Sequence, residues 1–198
     1  QQLNDLIAGK EVETPIFDFK AGCRAPQGKK LKLEENDILI MEGIHALNPE
    51  MTSAVDNSRI FRVYVSALTS LNLDENNNIS TSDNRLLRRM VRDNRVRGVD
   101  PESTIMRWPS VRRGEVRNIF PFQENADVIF NSALIFELPM LKYYAEPLLR
   151  RIAPNSPAYP EAARMLRFLS YITALSPSEI ATIPPTSIMR EFIGGQTL

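Results

Sequence analysis

"NDILIMEGIHAL", residues 36–47, decides the fold class. Four apolar residues in succession, Ile38, Leu39, Ile40 and Met41, are closed by Glu42 and Gly43. Such an uninterrupted run describes a strand buried on both faces, as the strands of a parallel sheet are, whereas half-covered antiparallel strands alternate. Two further stretches fit the same template: "RIFRVYVS" at 59–66 and "ADVIFNS" at 126–132. Long connections rich in helix formers separate the three, which points to an α/β layered fold around a parallel sheet.

In open sheets of this kind ligands bind beyond the carboxyl ends of the strands. Glu42 stands at such an end, where a carboxylate can hold Mg²⁺ directly or through water. A helix-capping or solvated glutamate leaves the same local pattern, so the residue's position keeps both readings open.

Toward the amino terminus, "QQLNDLIAGK" (1–10) places Leu3, Leu6 and Ile7 on one face of a helix. "EVETPIFDFK" (11–20) mixes β-branched and aromatic residues around Pro15 and suits an edge strand or the arm of a hairpin. The alternation Lys30, Leu31, Lys32, Leu33 predicts a second, half-exposed strand. Phe17 and Phe19 share one face of an extended segment, a platform for a flat ring, although ordinary core aromatics give the same pattern more often. Between these arms lies "AGCRAPQGKK" (21–30), superficially a phosphate-binding loop. A Walker loop needs four residues between its first glycine and Gly-Lys-Ser/Thr. Here five residues separate Gly22 from Gly28, and Lys30 stands where the metal-binding hydroxyl belongs, so the stretch is not a P-loop.

Toward the carboxyl terminus, residues 68–84 are polar and turn-rich and predict a loop. "NRLLRRMVRDNRVRG" (84–98) predicts a helix capped by Asp83 or Asn84 and ended by Gly98. Spacings of three and four put Arg85, Arg88, Arg92 and Arg95 on one face, while Leu86, Leu87, Met90 and Val91 offer apolar packing. Asp93 is the only acid within this segment. So dense a stripe repels itself unless anions compensate it, and phosphoryl groups of bidentate geometry are natural guests. A solvated face paired to acids elsewhere is the ordinary alternative. From Asn155 onward Pro157, Pro160, Pro177, Pro184 and Pro185 surround one amphipathic helix of about 14 residues. The domain organisation read from this texture is a main domain over 1–153 and a Pro-rich helical extension over 154–198 that packs on it.

Composition narrows the function classes. Lys plus Arg equals Asp plus Glu at 24 each, so no global field recruits nucleic acid or anionic lipid, and an electrostatic function must be local. Cys23 is the single cysteine, which rules out an internal disulfide, and His45 has no companion for a zinc site. No apolar run approaches the roughly 20 residues that span a bilayer, and the first residues lack the basic start of a signal peptide. A cytoplasmic protein with no membrane partner is expected. The chain starts with Gln1 inside a helical pattern, so it is expected to begin within a larger protein.

Taken in order, "GKEVETPIFDFK" with the following Arg24, "ILIMEGIHAL", "RLLRRMVRDNRVRG" and "ADVIFNSAL" resemble the uridine kinase and phosphoribulokinase family of P-loop small-molecule kinases. The resemblance spans residues 1 to about 150 with family-like spacings. It implies a parallel-sheet P-loop kinase-like core, incomplete in this chain, with an inserted β-hairpin and a C-terminal helical extension. It implies ATP and Mg²⁺ as cofactors and a small hydroxyl acceptor such as uridine or cytidine, with a homo-oligomer expected and nucleic acid disfavoured as a partner.

By that likeness Glu42 stands near Mg²⁺ and, with Arg89 and Arg92, forms the catalytic set. Phe17, Phe19, Arg24, Arg89 and Arg107 match acceptor-binding positions, and Arg92 and Arg97 match lid arginines on ATP phosphates. Departures fall in the acceptor pocket: Gly22 replaces a base-reading histidine, Val99 a second lid arginine, and Arg107 a glutamine. They put uridine itself in question and leave other hydroxyl-rich acceptors compatible. In the family the Walker loop, its Mg²⁺-binding hydroxyl and the proton-accepting aspartate precede the segment resembling "QQLNDLIAGK". The chain is therefore expected to be the carboxyl-terminal portion of such a kinase and inactive alone. Its sheet would then lack a central strand, whose place other sequence or an exchanged element would fill. Two alternatives stand beside this reading: a degenerate kinase domain that binds nucleotide or RNA through the arginine helix, and an interaction module docking a partner through its Pro-rich tail.

Overall fold

The alternating pattern before residue 33 folds as it reads. In the computed structural model, which describes residues 2–18, 23–69, 72, 75, 76 and 78–197, α1 (Gln2–Ile7) turns its apolar stripe inward and buries Leu6. β1 (Val12–Thr14) and β4 (Lys29–Leu31) pair antiparallel, Val12 opposite Leu31 and Thr14 opposite Lys29. β2 (Phe17–Asp18) and β3 (Cys23–Arg24) nest inside that ladder, with Phe17 opposite Arg24 and Asp18 opposite Cys23. Gly28 is required here by close approach: a Cβ on it would collide with the Thr14 carbonyl and the Glu13 side chain. Its N–H donates to Glu13 Oε1 at 2.7 Å. The decoy glycine thus serves the ladder and not a phosphate.

The chain forms two compact units, one of residues 1–64 with 117–128 and one of 65–116 with 129–198. The crossings fall within β5 (Val63–Ser66) and β6 (Val128–Asn131), which pair with each other. The N–H groups of Asp127 and Val128 donate to the Arg62 carbonyl and that of Ser132 to the Ser66 carbonyl, so both strands run the same way. A parallel pair was expected here, and a small one is found.

Two expectations fail. Ile38 to Met41 form no strand; Ile38 and Ile40 are 88% and 86% exposed. Among the described residues no strand pairs with this stretch. A run of apolar residues becomes a buried strand only where neighbours satisfy its backbone and cover both faces. For the same reason β5 and β6 are not buried on both faces: β5 alternates and all four residues of β6 are exposed.

The larger unit is helical. α2 (Thr81–Arg97) begins at an N-cap, Ser80, three positions before the expected Asp83. It ends where predicted, on Gly98 at φ +63°, whose N–H returns to the Asn94 carbonyl while that of Val99 reaches Asp93. Asn84 is buried, its amide nitrogen donating to Thr69 Oγ1 at 3.2 Å, so it sits inside the first turns instead of capping them. α3 (Pro101–Asn118) starts in this unit, and α4 (Glu137–Arg150), α5 (Tyr159–Ser170), α6 (Pro177–Ala181) and α7 (Arg190–Ile193) complete it. One core joins Leu86, Leu87 and Met90 of α2 to Leu141 and Leu149 of α4, Met165 and Leu169 of α5, and Met189 and Phe192. No helix among the described residues is long and apolar enough to cross a membrane.

Candidate functional site

In the smaller unit, the pleat of β2 and β3 sets Phe17 and Arg24 across from each other. The Phe17 ring is 52% exposed, and Arg24 is exposed beside it. An exposed aromatic and an exposed arginine at opposed positions of a strand pair are residue types that can stack on a flat polar ring and hydrogen-bond it. Phe19, the companion aromatic, lies outside the described residues, as does Gly22. Glu42 follows the uncovered Ile38–Met41 segment, is exposed, and makes no ion pair among the described residues.

In the larger unit, the arginines of α2 are brought together, and the acids that meet them come from far along the chain. Arg85 Nη2 lies 2.5 Å from Glu115 Oε1, and Arg112 holds the other oxygen at 2.8 Å. Arg88 grips Glu137 with Nε on Oε1 and with Nη2 on Oε2 at 2.5 Å. Glu137 is 1% exposed, and the Leu134 N–H also reaches its Oε2. Arg89, Arg92 and Arg97 converge on one carboxylate, Asp93, at 3.2, 3.9 and 2.9 Å. Spacings of i,i+4 explain two of these three contacts, since such residues are neighbours on a helix surface. Arg92 Nη1 also meets Glu191 Oε1 at 2.8 Å. Arg107, by contrast, is exposed on α3 and makes no ion pair among the described residues.

The expectation that phosphates must compensate this stripe therefore changes. Protein carboxylates do part of that work, and their positions, 49 residues on for Glu137 and 99 for Glu191, put them beyond any local charge count. Glu137 carried one signal, a lone acid inside the apolar run "LIFELPML". A charge so placed is buried only with a partner. Glu191 and Phe192 carried none that the sequence reading used.

Compensation is uneven along α2. Arg88 has a buried acid of its own and Arg85 shares Glu115 with Arg112, whereas Arg89, Arg92 and Arg97 share Asp93, 4% exposed, with Glu191 added on Arg92. The positions expected to touch phosphate carry three cations against the two acids Asp93 and Glu191.

A family model, Phosphoribulokinase / Uridine kinase family, matches residues 1–135. The chain belongs to this family. It is 31% identical over 130 residues to a uridine kinase of Halalkalibacterium halodurans, a match covering 65% of this chain and 53% of that protein. It is 34% identical over 132 residues to a uridine kinase of Macrococcus caseolyticus, covering 65% of this chain and 54% of the relative. The corresponding figures for a uridine kinase of Brevibacillus brevis are 30% over 128 residues, 64% and 51%. The chain thus spans about half the length of the relatives it matches. No solved structure matches it.

The donor chemistry is compatible with the cofactors this family implies. Among the described residues no three acids, histidines or cysteines cluster into a metal cage. Magnesium on a nucleotide needs none, because it takes one or two carboxylates and completes its octahedron with phosphate oxygens and water. A single exposed carboxylate such as Glu42 fits that role, and planar guanidinium groups fit phosphate.

Proposed function

We propose that the whole protein of which this chain forms part transfers the terminal phosphoryl group of ATP to a hydroxyl of a nucleoside or a related small acceptor. The supporting observation is that Arg89, Arg92 and Arg97 share Asp93, with Glu191 added only on Arg92, so three cations meet two acids at the positions matching the family's lid. Phosphoryl transfer asks little covalent chemistry of a protein. It asks for in-line positioning and for positive charge around the transferred group. In this reading Phe17 and Arg24 hold the acceptor ring, Phe19 and Arg107 contribute to the same acceptor, Arg89 and Arg92 steady the phosphoryl oxygens, and Arg97 binds nucleotide phosphate. Glu42 would hold Mg²⁺, which when bound neutralises charge on the phosphates. The arginine helix, closing as a lid, also excludes water and so protects ATP from hydrolysis.

The test uses the full-length protein, ATP and a panel of nucleosides and sugars. One acceptor is expected to be turned over, and Arg92→Gln to reduce kcat/KM for it by about 10²–10³, the usual effect of removing one donor aimed at developing charge. Absence of turnover with every acceptor, or an unchanged rate in Arg92→Gln, would overturn the proposal. One observation favours a second reading, a binding module without catalysis: each of the six α2 arginines already has a protein partner. Nucleotide affinity without turnover is its signature.

A further inference from the structure

The carboxyl-terminal turn of the larger unit is fastened to the helix that carries the arginines. Phe192, 4% exposed, lies beneath Arg88 and Arg92, whose guanidinium carbons stand 5.1 and 5.9 Å from the ring centre. Arg95 donates through Nε to the Phe192 carbonyl at 2.8 Å and through Nη2 to the Glu191 carbonyl at 2.7 Å. Gly194, at φ +91°, packs so tightly that a Cβ would stand 3.0 Å from Arg95 Nη1. Arg190 ties the turn back to the Ile183 carbonyl. Backbone and ring are thereby fixed from Met189 to Gly194.

Within this turn the side chain that reaches Arg92 is that of Glu191. It is 44% exposed and holds Arg92 through a single oxygen. Arg92 keeps a second donor, Nε, buried and without a hydrogen-bond partner, its nearest acid being Asp93 Oδ1 at 3.9 Å. A guanidinium with one edge on a half-exposed carboxylate and another donor unused is under-satisfied for a group that binds anions through paired parallel donors. A carboxylate in this place presents the same oxygen chemistry as a phosphate ester, with less charge.

We propose that Glu191 is a built-in stand-in for phosphate on Arg92: it occupies the guanidinium in the empty protein and a phosphate ester must displace it. This rests on the reading of α2 as a phosphate-binding lid. Displacement requires only rotation of the Glu191 side chain, since Phe192 and the carbonyls held by Arg95 stay in place. An ion pair this exposed is weak, so the competition tunes affinity and does not abolish binding. The empty lid keeps its arginines ordered and partly neutralised, and the tail sets the threshold at which ligand takes over.

Inorganic tripolyphosphate is the probe, titrated calorimetrically into this chain at low ionic strength. Glu191→Gln keeps the size of the side chain and removes its charge, and is expected to tighten binding about threefold to tenfold, the range of a weak surface pair plus relief of one repulsion. Glu191→Ala should match it. Glu146→Gln removes the same charge on α4, where among the described residues Glu146 pairs with Arg150 and Lys142 and with no arginine of α2, and should change affinity less than Glu191→Gln does. Arg92→Gln should weaken binding. If Glu191→Gln binds as the parent does, or more weakly, while Arg92→Gln still loses affinity, the stand-in is overturned and the arginine site survives. If neither parent nor Glu191→Gln binds, or Arg92→Gln binds as well as the parent, both fall together.

Discussion

Replacing Glu137 by glutamine tests whether protein carboxylates hold the arginine stripe in place. In the parent Arg88 is 11% and Glu137 1% exposed, so both charges are out of water and each is the other's counterion. Removing one partner of such a pair costs roughly 3–5 kcal/mol, because the survivor stays buried and uncompensated. Glutamine retains one accepting oxygen, and Arg88 keeps a 3.4 Å contact from Nη2 to the Ser132 carbonyl. Those remnants place the expected loss near the low end, at about 3 kcal/mol. The paired change Arg88→Met with Glu137→Leu removes both charges and fills the space with apolar atoms. It is expected to lie within about 1 kcal/mol of the parent, since a buried pair and an apolar substitute of similar volume are often equivalent. Urea unfolding followed by circular dichroism, fitted with a common m-value, reads both. A Glu137→Gln chain within about 1 kcal/mol of the parent, or a double variant as unstable as the single one, would refute the claim that this acid compensates the stripe.

Phe192→Ala should lower stability by about 3–5 kcal/mol in the same assay, the cost of deleting a buried aromatic with its cavity, and a loss below about 1 would show the tail to be a loose appendage. Gly98→Ala should cost about 1 kcal/mol. An added Cβ there meets nothing within 4 Å, so the left-handed φ of +63° is the whole of that cost. Ser176 and Glu179 form a reciprocal cap on α6, and Ser176→Ala should lose about 1 kcal/mol of stability by the same measurement. The Ser176 N–H holds the Glu179 carboxyl below its ordinary value of 4.5. Ionised Glu179 therefore adds stability that is present above that ordinary value and is lost as the pH falls through the depressed one. Thermal melting of the parent should drop on acidification through that window more than melting of Glu179→Gln, and equal slopes would refute the linkage.

What the sequence made legible, and what it hid, divide along the distance over which the physics acts. The run from Leu86 to Val91 reports helix and buried face together, because period and packing are local properties, and Gly98 ends the helix where a left-handed residue is needed. The strands before residue 33 read correctly for the same reason. Ile38–Met41 declares a demand for cover without saying which segment meets it, and among the described residues none does. The first turn of α2 misled because Asp83 and Asn84 are both capping types. Asp83 is instead spent on Arg164 at 2.7 Å, and Asn84 is buried against Thr69. Glu137 announces its burial locally, but its pairing with Arg88, and that of Glu191 with Arg92, span 49 and 99 residues and lie beyond any shorter window.

Those distant acids divide the arginine helix into two functional halves. Arg85 and Arg88 face Glu115, which Arg112 shares, and Glu137, each carboxylate less than 5% exposed, and are ties between helices. Among the described residues Arg89, Arg92 and Arg97 face the acids Asp93 and Glu191, with Arg95 spent on neutral carbonyls. The carboxyl end of a helix offers about half a negative charge, too little to neutralise the cations that remain there. Self-repulsion therefore argues for an anionic guest at the carboxyl end of α2, where Arg95 adds a cation with no acid of its own among the described residues. Stability should be sensitive at Arg88 and anion affinity at Arg92, four residues and one helical turn apart.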